Sequence, residues 1–194
     1  MKLAILIPTV AGREMEFESL LALLAPQVEH ADVQIQYLKD NKEMSIGAKR
    51  QALLDACEAE YMVMIDDDDH VPHDYVAKVM EALESPPDCI GYLEQCDIGG
   101  RLSIACHSNR YERWQDNYDG YHHVRTIFYK DVIKTSIAKQ VGFRDLRYGE
   151  DHDFSIRLKQ SGLLKNEVFI KEIMYYYSAP IMTEDQYNLR YGIK

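Results

Sequence analysis

The first third of the chain alternates short apolar runs with amphipathic stretches. LAILIP (3–8) is a continuous apolar run of strand length that Pro8 is expected to end. Residues 14–24, EMEFESLLALL, carry apolar side chains at helical spacing, and Pro26 follows. VQIQYL (33–38) alternates with the two-residue period of a half-buried strand. Residues 48–59, AKRQALLDACEA, return to helical spacing behind Ser45 and Gly47, and YMVMI (61–65) is a third strand. Strand, helix, strand, helix, strand with short connections predicts a parallel sheet with crossover helices. Ligands of such sheets gather at the carboxyl ends of the strands. Polar clusters at 9–13, 39–41 and 66–69 fall at those ends.

The second half is less regular. A helix is expected over 74–84, stopped by Pro86 and Pro87. CIGYLEQ (89–95) and RLSIAC (101–106), around Gly99 and Gly100, read as a hairpin. Residues 107–123 have no clean period and are rich in aromatic and polar side chains, as in a loop that touches something. RTIFY (125–129) reads as a strand, 131–141 as a helix, 150–160 as a helix after Gly149, and 167–178 as a final strand. No repeat, low-complexity tract or linker interrupts the pattern. A single domain over 1–194 is therefore expected, with a small antiparallel portion in its second half.

Composition narrows the function classes. With 46% hydrophobic and 28% charged residues the chain is globular. A net charge of −10 argues against a general electrostatic grip on nucleic acid or anionic membrane. No apolar run is long enough to span a bilayer, and the N-terminus lacks the form of a signal peptide. A cytoplasmic protein without membrane insertion is expected, in the host cytoplasm if the chain is viral. Cys57, Cys89, Cys96 and Cys106 show no C-x-x-C spacing, so they read as free thiols.

The third strand runs directly into IDDDDHVP, four adjacent carboxylates that repel one another. Alternation puts Asp66 and Asp68 on one side and Asp67 and Asp69 on the other. Such a pair at the open end of a parallel sheet suits a hard divalent cation, Mg2+ or Mn2+, shared with substrate phosphates. The competing reading is a solvated acidic turn that caps the next helix. The calcium-loop spacing is absent.

The ordered set ILIPTV, a second strand ending in Asp40, SIGAKRQALLDACEAEYMVMIDDDDHVP and YGEDHDFSIRL resembles the family-two glycosyltransferases of GT-A fold. It is most similar to the small stand-alone members of bacteria and their bacteriophages, over residues 3–84 and 125–177. The resemblance implies an open, mostly parallel Rossmann-like α/β sheet, with a nucleotide-sugar half (1–84) and an acceptor half (85–194). It implies metal-dependent sugar transfer from a nucleoside-diphosphate sugar, most readily a UDP-sugar, to an acceptor hydroxyl with inversion. IDDDDHVP corresponds to the family's D-x-D element, with Asp66 by the ribose or metal and Asp68 ligating the cation. Asp40 corresponds to the acid that contacts the base, Lys49 and Arg50 to the basic pair near base and phosphate. Thr9 and Arg13 stand where the nucleotide pocket begins. Asp151 of GEDHDF corresponds to the catalytic base, with Glu150 beside it near the acceptor. The local alternative is that either acid simply caps the helix.

The chain departs from the family at its end, where YYYSAPIMT offers no histidine near the metal or diphosphate. It also lacks the Q-x-x-R-W element and spanning helices of polymer-making relatives. His122 and His123 are candidates to face the donor. Trp114 and the tyrosines at 111, 118 and 121 form either a sugar-stacking wall or packing under a loop. Arg125, with His107, Arg110 and Arg113, is a candidate phosphate-binding strip. The resemblance implies an acceptor that is a glycan, a protein or a modified nucleobase in DNA. Two alternatives stand outside the family: a nucleotidyltransferase-like enzyme, and a non-catalytic, cation-dependent sugar- or nucleotide-binding module.

Overall fold

The structure is a computed structural model that describes residues 1–180. Strands β1 (Leu3–Val10), β2 (Val33–Asp40) and β3 (Tyr61–Met64) alternate with helices α1 (Glu14–Val28) and α2 (Ile46–Ala56), and α3 (Tyr75–Ala82) follows. The three strands pair in parallel in the order β2-β1-β3. Alternation along them explains why both faces must be covered. Leu3, Ile5, Ile7, Tyr61, Val63 and Ile65 point to one face, into a core completed by α1 and α3. Ala4, Leu6, Met62 and Met64 point to the other, where Leu53 and Leu54 of α2 cover them.

Beyond residue 88 come β4 (Cys89–Ile98), β5 (Arg101–His107), β6 (Gln115–Tyr118), β7 (Tyr121–Arg125), β8 (Val132–Lys134), α4 (Thr135–Val141), α5 (Glu150–Ser161) and β9 (Glu167–Ala179). One nine-stranded sheet results, in the order β2-β1-β3-β8-β4-β5-β7-β6 with β9 paired to β4. The expected hairpin is β4–β5, turning through Gly99 and Gly100 at positive φ. Antiparallel pairing begins at β8, and the second half mixes antiparallel pairs with the parallel pairs β4–β9 and β5–β7. Helices α4 and α5 add Ile137, Phe154 and Leu158 to the α2-side core.

Five expectations need correction. Pro8 does not end β1, because past residue 6 the strand has only β2 beside it and tolerates a missing N–H. Pro26 lies inside α1, where it leaves only the C=O of the exposed Ala22 without its helical partner. Part of 107–123 is the ribbon β6–β7, turned through Asp119 and Gly120 at positive φ. RTIFY is not a strand, and the helix expected from residue 131 starts at Thr135, after β8. Ile127, Phe128 and Tyr129 are buried as a loop whose backbone is satisfied elsewhere. Ser155 Oγ donates to Ile127 O, Phe128 N–H to Asp131 Oδ2, and Met64 N–H to Tyr129 O.

The two halves are clasped at the start of α2. Ser45 caps the helix by accepting from Ala48 N–H, and its hydroxyl donates to Asp145. Gly47 N–H donates to Leu146 O at 3.1 Å. A Cβ on Gly47 would lie 2.0 Å from Arg144 O, so only glycine allows this approach. Gly47→Ala should destabilise the protein by about 1–3 kcal/mol through overpacking, lowering the melting temperature by at least about 2 °C. An unchanged melting temperature in a calorimetric scan would show that the clasp yields freely.

Candidate active site

The carboxyl ends of β1, β2 and β3 open into a cavity of about 670 Å³. Thr9, Arg13, Asp40, Lys49, Arg50, Asp66, Asp68, Glu150 and Asp151 all line it, as do Trp114, His123 and Arg125 among the acceptor-side candidates; His107, Arg110, Arg113, His122 and the tyrosines at 111, 118 and 121 do not. The aspartates form a turn just past β3, with Asp69 N–H donating to Asp66 O at 3.1 Å. Asp67 and Asp69 are buried, while Asp66 and Asp68 stay half-open, as alternation predicts. Asp67 accepts from Thr9 Oγ1 and from Arg13 Nη1, each at 2.7 Å. Arg13 also pairs with Asp68 at 3.0 Å. Asp66 accepts from Arg50 Nη2 at 2.8 Å and from the Tyr129 hydroxyl at 2.6 Å. Asp69 accepts from the Tyr175 hydroxyl at 2.8 Å and faces Lys130 at 3.2 Å.

These partners set the protonation balance. Burial pushes the Asp66 carboxyl up, but Arg50 and Lys130 outweigh it and hold the group below the usual range. Burial raises Asp68, and its neighbours Asp66 and Asp67 add to that against Arg13. Asp69 is pushed up to about 7, by burial first, against the pull of Lys130.

Helix α2 carries the other half of the charge balance on one buried turn. Lys49 Nζ donates to Thr9 O at 2.6 Å and is ion-paired with Asp40. Asp40 also accepts from Met44 N–H at 2.8 Å, and the Lys49 hydrogen bond holds its carboxyl low despite burial. Arg50 stacks on the Tyr129 ring, 3.4 Å from guanidinium carbon to centroid. Its Nη1 donates to Glu150 Oε1 at 2.7 Å. One guanidinium thus joins the aspartate turn to the first turn of α5. Burial raises the Glu150 carboxyl against Arg50. Asp151, the next residue, faces the cavity and accepts only its neighbour's N–H, from His152 at 2.7 Å, among the described residues. Gly149 precedes both in the left-handed region, φ +77°, which lets the chain turn sharply into the helix.

On the far wall Trp114 is fixed rather than open. Its Nε1 donates to Ser155 Oγ at 2.9 Å, Arg125 stands 4.9 Å over its ring, and Phe128 and His152 meet it edge-on. Tyr111 and Tyr118 pack on each other outside the cavity, and Tyr121 packs on the small core of Cys106, Tyr111 and Val124. His123 lines the cavity and pairs with Asp116 at 2.8 Å. His122 is exposed and accepts from Ile104 N–H at 3.1 Å, because alternation along β7 sends it away from its neighbour. The strip of His107, Arg110, Arg113 and Arg125 does not form, since His107 is completely buried and Arg110 is paired with Asp119. The residues just past the final strand, where a family histidine would fall, lie largely outside the described residues.

The sequence reading missed a buried ionic chain behind the aspartates. Lys130 Nζ reaches Glu94 Oε1 at 2.8 Å, and His107 stands between Glu94 and Asp131, 3.1 Å from each. Asp131 and Glu94 raise His107 to about 9, overcoming the burial that would lower it. The only local signal was the polar break Lys130-Asp131 after an apolar run.

The residues fit a divalent cation in a limited way. Asp66 and Asp68 offer hard oxygen donors, and the Asp68 side chain is 39% exposed. No group of three or more His, Cys, Asp or Glu that could hold a metal ion forms among the described residues. A cation here would take two protein carboxylates and complete its shell with ligand oxygens and water, the habit of magnesium-type sites.

The sequence model of Glycosyl transferase family 2 matches residues 20–145. No curated protein matches the chain. Among solved structures, S. aureus TarS 1-349 aligns at 15% identity with a TM-score of 0.66, covering 92% of this chain and 60% of that one. The same protein in complex with UDP aligns at 16% identity and TM-score 0.66, covering 97% and 63%. Mannosyltransferase PcManGT from Pyrobaculum calidifontis, in complex with GDP-Man and Mn2+, aligns at 13% identity and TM-score 0.56, covering 97% and 60%. The chain thus spans about three fifths of the length of these structures, and the likeness is one of fold, GT-A.

The ionic chain makes stability pH-dependent. Folded His107 keeps its proton to about pH 9, whereas the unfolded chain loses it near 6.5. Its contribution is therefore complete below about pH 6.5 and falls away toward pH 9. His107→Asn should cost about 3–5 kcal/mol at pH 6 by stranding two buried carboxylates, and should flatten the dependence. Urea unfolding at pH 6.5 and 8.5 checks this; equal wild-type stability at both would contradict it.

Proposed function

The chain belongs to glycosyl transferase family 2, and on that premise we propose that it is a glycosyltransferase. It moves a sugar, of hexosyl type, from a nucleoside-diphosphate sugar to an acceptor hydroxyl with inversion at the anomeric carbon. The observation that carries this reading is the single cavity onto which the aspartate turn and Asp151 both open. Neighbours of the same fold were solved with UDP-GlcNAc and with GDP-Man. A UDP-sugar is the first donor to test.

In this reading residues 1–84 form the donor half of one domain and the remainder the acceptor half. Thr9, Arg13 and Asp40 lie at the nucleotide end, and Trp114, His123 and Arg125 at the acceptor end. Asp151 takes the proton from the acceptor hydroxyl as that oxygen attacks the anomeric carbon, and the nucleoside diphosphate leaves from the opposite side. Arg50 holds Asp66 and Glu150 apart at a fixed span, so donor and base stay in register. A Mn2+ or Mg2+ ion held by Asp66 and Asp68 would neutralise charge on the leaving diphosphate. The acceptor is a glycan, a protein or a modified nucleobase, the last being the least suited to an acidic chain. No helix among the described residues is long and apolar enough to cross a membrane. A cytoplasmic, bacteriophage-type enzyme accords with this reading.

A nucleotidyltransferase would need a glycine-rich phosphate loop after β1. TVAGRE instead commits Arg13 to Asp67 and Asp68, which disfavours that alternative.

Thermal melting with UDP, GDP, CDP, ADP and dTDP, with and without Mn2+, tests the proposal. A ligand at about 100 times its dissociation constant adds roughly 2.7 kcal/mol, or several degrees at this size. One nucleotide should shift the melt, need metal, and lose its effect in Asp68→Ala. Asp151→Asn should keep that shift and lose transfer by at least about a hundredfold. No shift with any nucleotide would reduce the aspartates to a structural turn; full transfer by Asp151→Asn would remove it as the base.

A further inference from the structure

The cations expected to meet the nucleotide are already committed to carboxylates of the protein itself. Arg13 serves Asp67 and Asp68, Lys49 serves Asp40, and Arg50 serves Asp66 and Glu150. On the acceptor side Arg125 pairs with Asp116, and Lys130 with Asp69 and Glu94. Each cation is therefore neutralised where it stands. The cavity still has to receive an anion beside Asp66, Asp67 and Asp68, whose field repels it.

Two lining cations have no side-chain hydrogen bond, ion pair or ring contact among the described residues: Lys42 and Arg147. Both are exposed, so neither position is explained by packing. They come from the two halves of the chain. Lys42 follows β2 two residues after Asp40, in the left-handed region at φ +72°. Arg147 sits between the Leu146–Gly47 clasp and Glu150, so its backbone is fixed against the start of α2. A mobile surface loop would not hold a guanidinium at one place on the wall; this one is tied by Gly47, by Ser45 to Asp145, and three residues later by Arg50 to Glu150.

We propose that Arg147, together with Lys42, binds the diphosphate of the donor. Resting on the glycosyltransferase reading, this assigns a ligand contact to a loop outside the residues matched by the family's sequence model, which ends at 145. Arginine suits the task because its planar fork donates to two phosphate oxygens at once. It also stands four residues before Asp151, so the cation on the leaving group and the base on the acceptor share one short segment.

The test separates phosphate from base. Calorimetric titration with Mn2+ present compares UDP and GDP with uridine and guanosine, in the wild type, Arg147→Ala, Arg147→Lys and Lys42→Ala. Arg147→Ala should weaken the bound diphosphate about tenfold, the loss of one charge-assisted contact, and leave the nucleoside unchanged. Arg147→Lys should recover part of the loss, and the salt dependence of binding should be shallower in Arg147→Ala. Unchanged melting temperatures establish that the variants are folded. Wild-type affinity in Arg147→Ala, or an equal loss for nucleoside and diphosphate, overturns the inference and leaves the glycosyltransferase reading standing. Failure of the wild type to bind any nucleoside diphosphate overturns both.

Discussion

The site depends on Arg50. A single buried guanidinium, flat against Tyr129, gives one edge to Asp66 of the aspartate turn and another to Glu150 at the head of α5. Charges out of water are tolerated only when paired and hydrogen-bonded, so neither carboxylate can move without stranding the arginine. That constraint fixes the span between the open end of the parallel strands and the helix that carries Asp151. The Gly47–Leu146 clasp repeats the connection through the backbone.

The same logic governs the rest of the cleft. Four adjacent aspartates would be untenable at the end of a buried strand if they stood alone. Thr9 and Arg13 hold Asp67, Tyr175 and Lys130 hold Asp69, and Lys130 is anchored in turn by Glu94, which His107 holds from behind. The turn is thereby built from both halves of the chain. Asp68 is left as its most open member, half-exposed and repelled by its neighbours, which is the condition under which a carboxylate gains most from a cation.

Much of this was legible in the residues. Continuous apolar runs identified β1 and β3, two-residue alternation identified the half-buried β2, and the polar clusters at their ends identified the rim. Local order could not reveal how buried backbone is satisfied without a ladder. RTIFY has strand composition, yet Ser155 and Asp131 satisfy it as a loop. Nor can spacing show partners a hundred residues apart, as Arg50 and Glu150 are, or that His107 is buried between two acids. Alternation on β7 did contain the distinction between His122 and His123, but only once the strand itself was known. Composition left Trp114 open between a stacking wall and packing under a loop, and its contacts with Arg125, Phe128 and Ser155 are a tertiary fact.

The most direct test of the central claim is an anomalous difference map from crystals grown with Mn2+ and UDP. The account predicts one strong manganese peak within coordinating distance of Asp68, shared with the diphosphate, in the cavity that Asp151 faces. A peak elsewhere on the molecule, or an ordered UDP lying away from the aspartate turn, would contradict it.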